Sequence, residues 1–333
     1  MKAVIYDRRG PAREVLRLVD RPVPEPGPGE VRIKVAVSAL NPSDLKARSG
    51  LNASAPLLFP LATPHRDGAG VIDKVGSGVE ASRIGERVWF NQILKQHPFG
   101  SAAEYTLASA HLAWRLPEAA SFADGACLPI PGVTAHAALM RDKPLAGRNV
   151  LIQGGAGGVG FYAVQLARLA GARTVIATVS RDAQAVVARE AGAHAVVNYR
   201  DADARQQIEA AAGEPNAIHH IVEVNLAVNA ALDAAVLAEG GVIAAYASDA
   251  DQQPRVPFRG LNPKDAIVRF VGMSAMAETD RRRAAADIIR LLEEHRLKHH
   301  IAARFPLEQT IEAHELLEGG KVVGKVLVDV AAI

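Results

Sequence analysis

A chain of 333 residues, 49% hydrophobic and 22% charged, has the make-up of an ordinary globular protein and is long enough for two domains. Its formal charge is only +2, from 38 basic and 36 acidic residues interspersed along the sequence, which argues against nucleic acid as its main partner. The one cysteine, Cys127, excludes an internal disulfide and a four-cysteine zinc lobe, no apolar run is long enough to span a bilayer, and Lys2, Asp7 and Arg8 interrupt any signal-peptide core, so a cytoplasmic location is expected.

The first third of the chain reads as β-rich. Residues 31–37 alternate apolar with mostly polar side chains after a Pro/Gly-dense stretch, as a half-buried strand should. Residues 71–75 and 87–90 are further strand candidates, separated by Gly76, Gly78 and Gly85. After about residue 124 the pattern changes. Strand-like runs at 149–153, 174–179, 195–197, 220–224 and 241–245 alternate with helical spacing at 159–170, 183–191 and 230–237. That alternation specifies an α/β fold with a doubly wound parallel sheet. From about residue 275 a helix at 284–295, residues 302–305, a helix at 309–318 and a strand at 324–328 complete the chain; periodicity does not say which domain the last strand joins.

Gly155-Ala156-Gly157-Gly158-Val159-Gly160 carries a Gly-x-Gly-x-x-Gly spacing between a predicted strand and a predicted helix. Gly155 suits the tight turn, Gly157 lets a pyrophosphate approach the backbone, and Gly160 lets the helix pack on the strand. Free N–H groups at the helix start then meet the phosphates. The second strand ends in Ser180-Arg181 rather than in an acid that would grip a ribose hydroxyl, which favours NADPH over NADH.

With these features, the sequence resembles the zinc-independent quinone oxidoreductase branch of the medium-chain dehydrogenase/reductase superfamily. The resemblance runs over nearly the whole chain, through Asn41-Pro42-Ser43-Asp44, Asp67-Gly68-Ala69-Gly70, Gly85-Glu86-Arg87-Val88, Gly132-Val133-Thr134-Ala135, the glycine turn, Asn198-Tyr199-Arg200 and Gly324-Lys325-Val326. It implies a GroES-like catalytic domain built from both chain ends, residues 1–124 and 275–333, a Rossmann-type domain of residues 125–274 inserted between them, and a homodimer or homotetramer. By the same resemblance Asn41 and Thr134 lie near the nicotinamide, Ala156 to Val159 at the pyrophosphate, and Ser180 and Tyr199 near the adenosine phosphate. Asn225, Tyr246, Ser248 and Phe270 line the loops on the nicotinamide side, and Lys325 makes a C-terminal contact. Two positions depart from the branch: Lys46 replaces a frequent tyrosine, and Gln184 replaces a lysine frequent four residues after the serine.

Zinc-dependent relatives place a cysteine where Asn41 stands and a histidine-glutamate pair where Arg66-Asp67 aligns. Asparagine is a poor zinc ligand and arginine is none, so no metal is expected, and His65, Asp67, His97 and His136 read as ordinary polar residues. His219-His220 and His299-His300 read as structural, because neighbours in a strand face opposite ways. Without a Lewis acid the expected reaction is hydride transfer from NADPH to a quinone or a conjugated carbonyl. A hydroxyl, a water or Asn41 is expected to hydrogen-bond the reduced oxygen, and Lys46 to add positive charge to a developing anion. An enone or enoyl reductase of the same fold and a non-catalytic NADPH-binding sensor or RNA-binding protein are the alternatives.

Overall fold

The computed structural model describes residues 1–50, 57–91, 97–249, 251 and 253–333. They form two compact units, residues 1–130 with 285–333, and residues 131–284. Among the described residues no helix is long and apolar enough to cross a membrane.

The first unit is built on a seven-stranded sheet. Six strands lie in the order Ile301–Pro306, Lys325–Asp329, Glu30–Ala39, Asp67–Val75, Arg87–Asn91, Ala113–Arg115, and Tyr105–Ser109 pairs with the first half of Glu30–Ala39. The alternation read from the sequence is what buries one face. Val31, Ile33 and Val35 pack with Ile72, Val88 and Phe90 in a fully buried cluster, while Arg32 bonds Asp73 on the neighbouring strand at 2.8 Å. The closing strand, unassigned from sequence, belongs here: it runs antiparallel to Glu30–Ala39 and parallel to Ile301–Pro306.

The helix Pro42–Ser49 follows Glu30–Ala39 directly. Proline at its first turn is pre-set for helical φ, Asp44 returns a carboxylate oxygen to the Asn41 backbone N–H at 2.8 Å, and Gly50 ends the helix at φ +81°.

The second unit holds six parallel strands in the order Ala195–Asn198, Thr174–Val179, Asn149–Ile152, Ile218–Glu223, Leu237–Ala245, Ile267–Phe270. Taken along the chain this is 3-2-1-4-5-6, the doubly wound order in which ligands lie outside the strands' carboxyl ends where the order reverses. That reversal falls between Asn149–Ile152 and Ile218–Glu223. The strands are near-continuous apolar runs because helices cover both faces. The helices include Gly158–Leu169, Asp182–Glu190, Ala204–Ala212 and Leu226–Val236.

Candidate active site

In the first unit the sheet register assembles a buried polar cluster. Ala39 pairs with Asp67, and Asp67 with Asn91. Leu327 pairs with Ala39, so two residues further along the antiparallel pair Lys325 comes opposite Asn41. Asp67, fully buried, is the hub: one carboxylate oxygen accepts from Asn41 Nδ2 at 2.8 Å and from the Ile130 N–H at 3.0 Å, and the other from Asn91 Nδ2 at 2.9 Å. Lys325 Nζ donates to Asn41 Oδ1 at 2.9 Å and to the Leu40 carbonyl at 2.8 Å. Burial pushes the Asp67 carboxyl up, and the Lys325 ammonium with the N–H donors pulls it back. Asp44, also buried, is pushed up to about 6 by burial, against the pull of Arg66 and with the Asp67 charge adding to the rise.

A second chain of bonds ties the Asp67 backbone to the helix Thr310–Glu318. Ser101 Oγ donates to the Asp67 carbonyl at 2.7 Å and lies 2.7 Å from Ser38 Oγ, which lies 2.8 Å from His65 Nδ1. His65 Nε2 lies 2.9 Å from His314 Nε2. Since the Ser101 proton is committed to the carbonyl, Ser38 donates to Ser101, His65 donates from Nδ1, and His314 donates from Nε2. This leaves His314 Nδ1 as a buried acceptor without a partner. Burial holds both rings neutral, His65 well below the usual range and His314 down to about 3.

These depressed values fix a pH dependence. Between about pH 6.5 and pH 3 the unfolded chain takes up protons on these imidazoles and the folded chain does not, so their stability contribution is full above 6.5 and is lost as pH falls. The carboxyls that burial raises, Asp44, Asp67, Glu223 and Asp233, oppose this, but His97, His194, His219, His220 and His299 are lowered as well, so seven groups act in this direction against four. Urea titrations are therefore expected to show stability falling from pH 6.5 towards pH 4. The variant His314→Gln, which keeps an N–H for His65, should flatten that fall; an unchanged pH profile would remove the histidine pair as its cause.

In the second unit, parallel strands bring every carboxyl end to one edge of the sheet, and the predicted cofactor residues follow those ends. Gly155 to Val159 follow Asn149–Ile152, Ser180 and Arg181 follow Thr174–Val179, and Tyr199 follows Ala195–Asn198. Asn225 follows Ile218–Glu223, Tyr246 and Ser248 follow Leu237–Ala245, and Phe270 is the last residue of its strand, with 71% of its surface exposed. Thr134 is buried in the helix Pro129–Met140. The Phe161 N–H closes the first turn of its helix on the Gly157 carbonyl at 2.8 Å, and the N–H groups of Gly158, Val159 and Gly160 find no acceptor among the described residues. A Cβ on Gly155 would lie 2.5 Å from Ala177 Cβ.

Ser180 is engaged locally. Its backbone N–H and its hydroxyl both donate to Gln184 Oε1, at 2.9 and 3.0 Å. Arg181 precedes the helix Asp182–Glu190, and Arg200 lies over the Tyr199 ring. Ser248 Oγ donates to the Asp251 carbonyl at 2.6 Å.

The network thus joins Asn41 to Lys325, as neither motif nor periodicity predicts. Lys46 is half-buried in the helix Pro42–Ser49. Asn91 was not singled out from sequence and Asp67 only as a metal candidate; an acid facing Asn41 needed the strand register to be seen. His219 and His220 do alternate, with His220 buried on the Ala138 carbonyl, whereas His299 and His300 precede the strand Ile301–Pro306, so the strand argument does not cover them. Cys127 is buried at the end of the short helix Phe122–Ala126.

Comparison with known proteins gives the lineage. Residues 27–118 match the alcohol dehydrogenase GroES-like domain family, and residues 191–328 the zinc-binding dehydrogenase family. The human (Homo sapiens) quinone oxidoreductase is 34% identical over 336 residues, spanning 98% of this chain and 97% of that protein. The chain belongs to the quinone oxidoreductase branch of the medium-chain dehydrogenase/reductase superfamily. Among solved structures, an NAD-dependent alcohol dehydrogenase superposes with a TM-score of 0.88 at 31% identity, covering 99% of this chain and all of that one. The Escherichia coli quinone oxidoreductase complexed with NADPH superposes with a TM-score of 0.85 at 25% identity, over 99% and 100% of the two chains. The protein is therefore an oxidoreductase with GroES-like and Rossmann domains.

The matched family description includes zinc, but the donors here do not fit that ion. Asn41 offers its carbonyl oxygen to an ammonium and its amide N–H to Asp67, and both Asp67 oxygens are taken by N–H donors. The cation bonded to Asn41 is the protein's own, the Lys325 side chain. Among the described residues no group of three histidine, cysteine, aspartate or glutamate side chains is placed to hold a metal ion.

Proposed function

We propose that the protein is a metal-independent NADPH:quinone oxidoreductase. The observation that carries this reading is the Lys325–Asn41–Asp67 network. Asn41 is gripped at both ends of its amide, and one N–H of Asn41 Nδ2 and one of Lys325 Nζ find no acceptor among the described residues. Two fixed donors, nearly buried and backed by an ammonium, suit an oxygen that gains negative charge when a quinone is reduced. When bound, the dihydronicotinamide supplies the hydride.

The residues that would hold the cofactor fit it. The glycine turn leaves three backbone N–H groups free at a helix start, which suits the pyrophosphate. Around Ser180 the groups on offer are donors and cations. Gln184 turns its oxygen to Ser180, and its Nε2 hydrogens find no acceptor among the described residues; Arg181 and Arg200 add positive charge. That supports a 2′-phosphate, with Gln184 as a neutral donor where relatives often carry lysine.

The test is oxidation of NADPH or NADH by 9,10-phenanthrenequinone, followed by cofactor absorbance with and without chelator. Turnover is expected to resist chelator and to be faster with NADPH. Arg181→Ala should raise the KM for NADPH about tenfold, the loss of one charge-assisted hydrogen bond, and leave that for NADH within about twofold. Activity abolished by chelator and restored by zinc would overturn metal independence, and equal KM changes for both cofactors would overturn the role of Arg181. An enone assayed beside the quinone separates the two acceptor classes.

A further inference from the structure

Two acids lie buried beneath the glycine turn. Glu223 ends the strand Ile218–Glu223, and Asp233 lies in the helix Leu226–Val236 that follows; both are fully buried, and their carboxyl groups lie against each other. Glu223 Oε1 accepts from the Asn225 backbone N–H and from Asn229 Nδ2. Asp233 Oδ1 accepts from Gln153 Nε2 at 2.8 Å. Gln153 Oε1 accepts from Thr178 Oγ1 at 2.6 Å, and Thr178 Oγ1 accepts from the Gly154 N–H at 3.1 Å. An unbroken chain of bonds thus runs from the acids to Gly154, the residue that leads into the glycine turn, and a branch runs to Asn225.

The remaining oxygens, Glu223 Oε2 and Asp233 Oδ2, meet no N–H or O–H donor. No cation bonds to either acid among the described residues. The other titratable group in the field of Glu223 is the Tyr246 phenol, which Asp249 also faces; burial pushes that phenol above its ordinary range. Two touching carboxylates in such a place cannot both ionise, and a single proton between Oε2 and Oδ2 satisfies both orphaned oxygens at once.

We propose that Glu223 and Asp233 share one proton and, as an acid–carboxylate pair, act as positioning residues for the dinucleotide by fixing the turn at Gly154 and the loop at Asn225. This rests on the dinucleotide-binding reading above. Asp233 carries the proton: Glu223 has two N–H donors to hold its charge and Asp233 has one, and burial and the Glu223 charge both push the Asp233 carboxyl well up. Loss of the proton at alkaline pH sets two charges face to face and releases the bond chain at its root.

The experiment is NADPH affinity by fluorescence titration from pH 7 to pH 9.5 on the wild type, Asp233→Asn and Asp233→Leu, with an infrared spectrum of each protein. The asparagine amide can donate to Glu223 and accept from Gln153 as the acid does. Asp233→Asn is expected to bind within about twofold of wild type at pH 7, whereas the wild type weakens about tenfold by pH 9.5 and the variant does not. Asp233→Leu should bind weakly at every pH. The C=O stretch of a buried protonated carboxyl group should be present in the wild type at pH 7 and missing in Asp233→Asn. An alkaline loss of affinity shared by the wild type and Asp233→Asn, or the absence of that stretch, overturns the proposal. If the stretch is present but no dinucleotide binds at any pH, the cofactor reading has failed and the positioning role falls with it, leaving the shared proton established.

Discussion

Asp67→Ala is expected to destabilise the protein by about 3–5 kcal/mol, the cost of leaving a buried ionic cluster with one member removed. Three N–H donors, on Asn41, Asn91 and Ile130, lose their acceptor, and the buried Lys325 ammonium loses its counter-charge. In a chain of this size that is a fall in melting temperature of about 4–7 °C. Asp67→Asn keeps the shape and one acceptor oxygen, so its loss should be smaller. In the folded fraction of the alanine variant kcat/KM for the quinone should drop about 100-fold, the scale for losing one fixed donor to a developing anion, because the Asn41 amide is no longer held. Calorimetry and steady-state assays decide it: an alanine variant melting within about 2 °C of wild type would mean that the cluster is not a coupled unit.

Gly160→Ala should all but abolish dinucleotide binding. A Cβ at residue 160 would lie 2.1 Å from the Gly154 carbonyl oxygen and 2.9 Å from both the Gly154 carbonyl carbon and Gly155 Cα. All three are backbone atoms of the turn, so relief requires moving the turn itself. Overpacking of this kind costs roughly 1–3 kcal/mol in stability. Displacing the turn from the helix start should weaken NADPH by at least about 100-fold, or ~2.7 kcal/mol. Gly158→Ala serves as the control, since its new Cβ would meet nothing nearer than Pro131 Cγ at 3.8 Å, and it should melt as wild type. An alanine at 160 that binds NADPH normally would mean that helix and strand need not approach closely for the turn to work.

The second unit was the more legible in the sequence. Its inner strands are buried on both faces and its helices on one, so periodicity alone locates 174–179 and comes within a few residues for the other elements it names. Residues 204–212 and 267–270 were passed over: the first has few large apolar side chains, and the second is a half-exposed edge strand. In the first unit the short strands Lys2–Ile5 and Ala113–Arg115 leave too few residues for a period to show. The site followed the same division. Glycine spacing is local and could be read, whereas the Lys325–Asn41–Asp67 contact depends on the registers of two strand pairs and could not. The acid pair did leave a trace, since Asp233 interrupts an apolar helix and Glu223 ends an apolar strand, and a buried acid in such runs needs a partner.

The bond between Asn41 and Lys325 spans 284 residues. At a synthesis rate of roughly 5–20 residues per second, about 15–60 seconds separate the emergence of its two ends from the ribosome. In that interval residues 131–284, which are contiguous, can form their own sheet, while the strand Glu30–Ala39 waits with the second half of one edge open. The nascent protein therefore carries an unpaired sheet edge for most of its synthesis, and the same strand that closes that edge delivers the ammonium to Asn41.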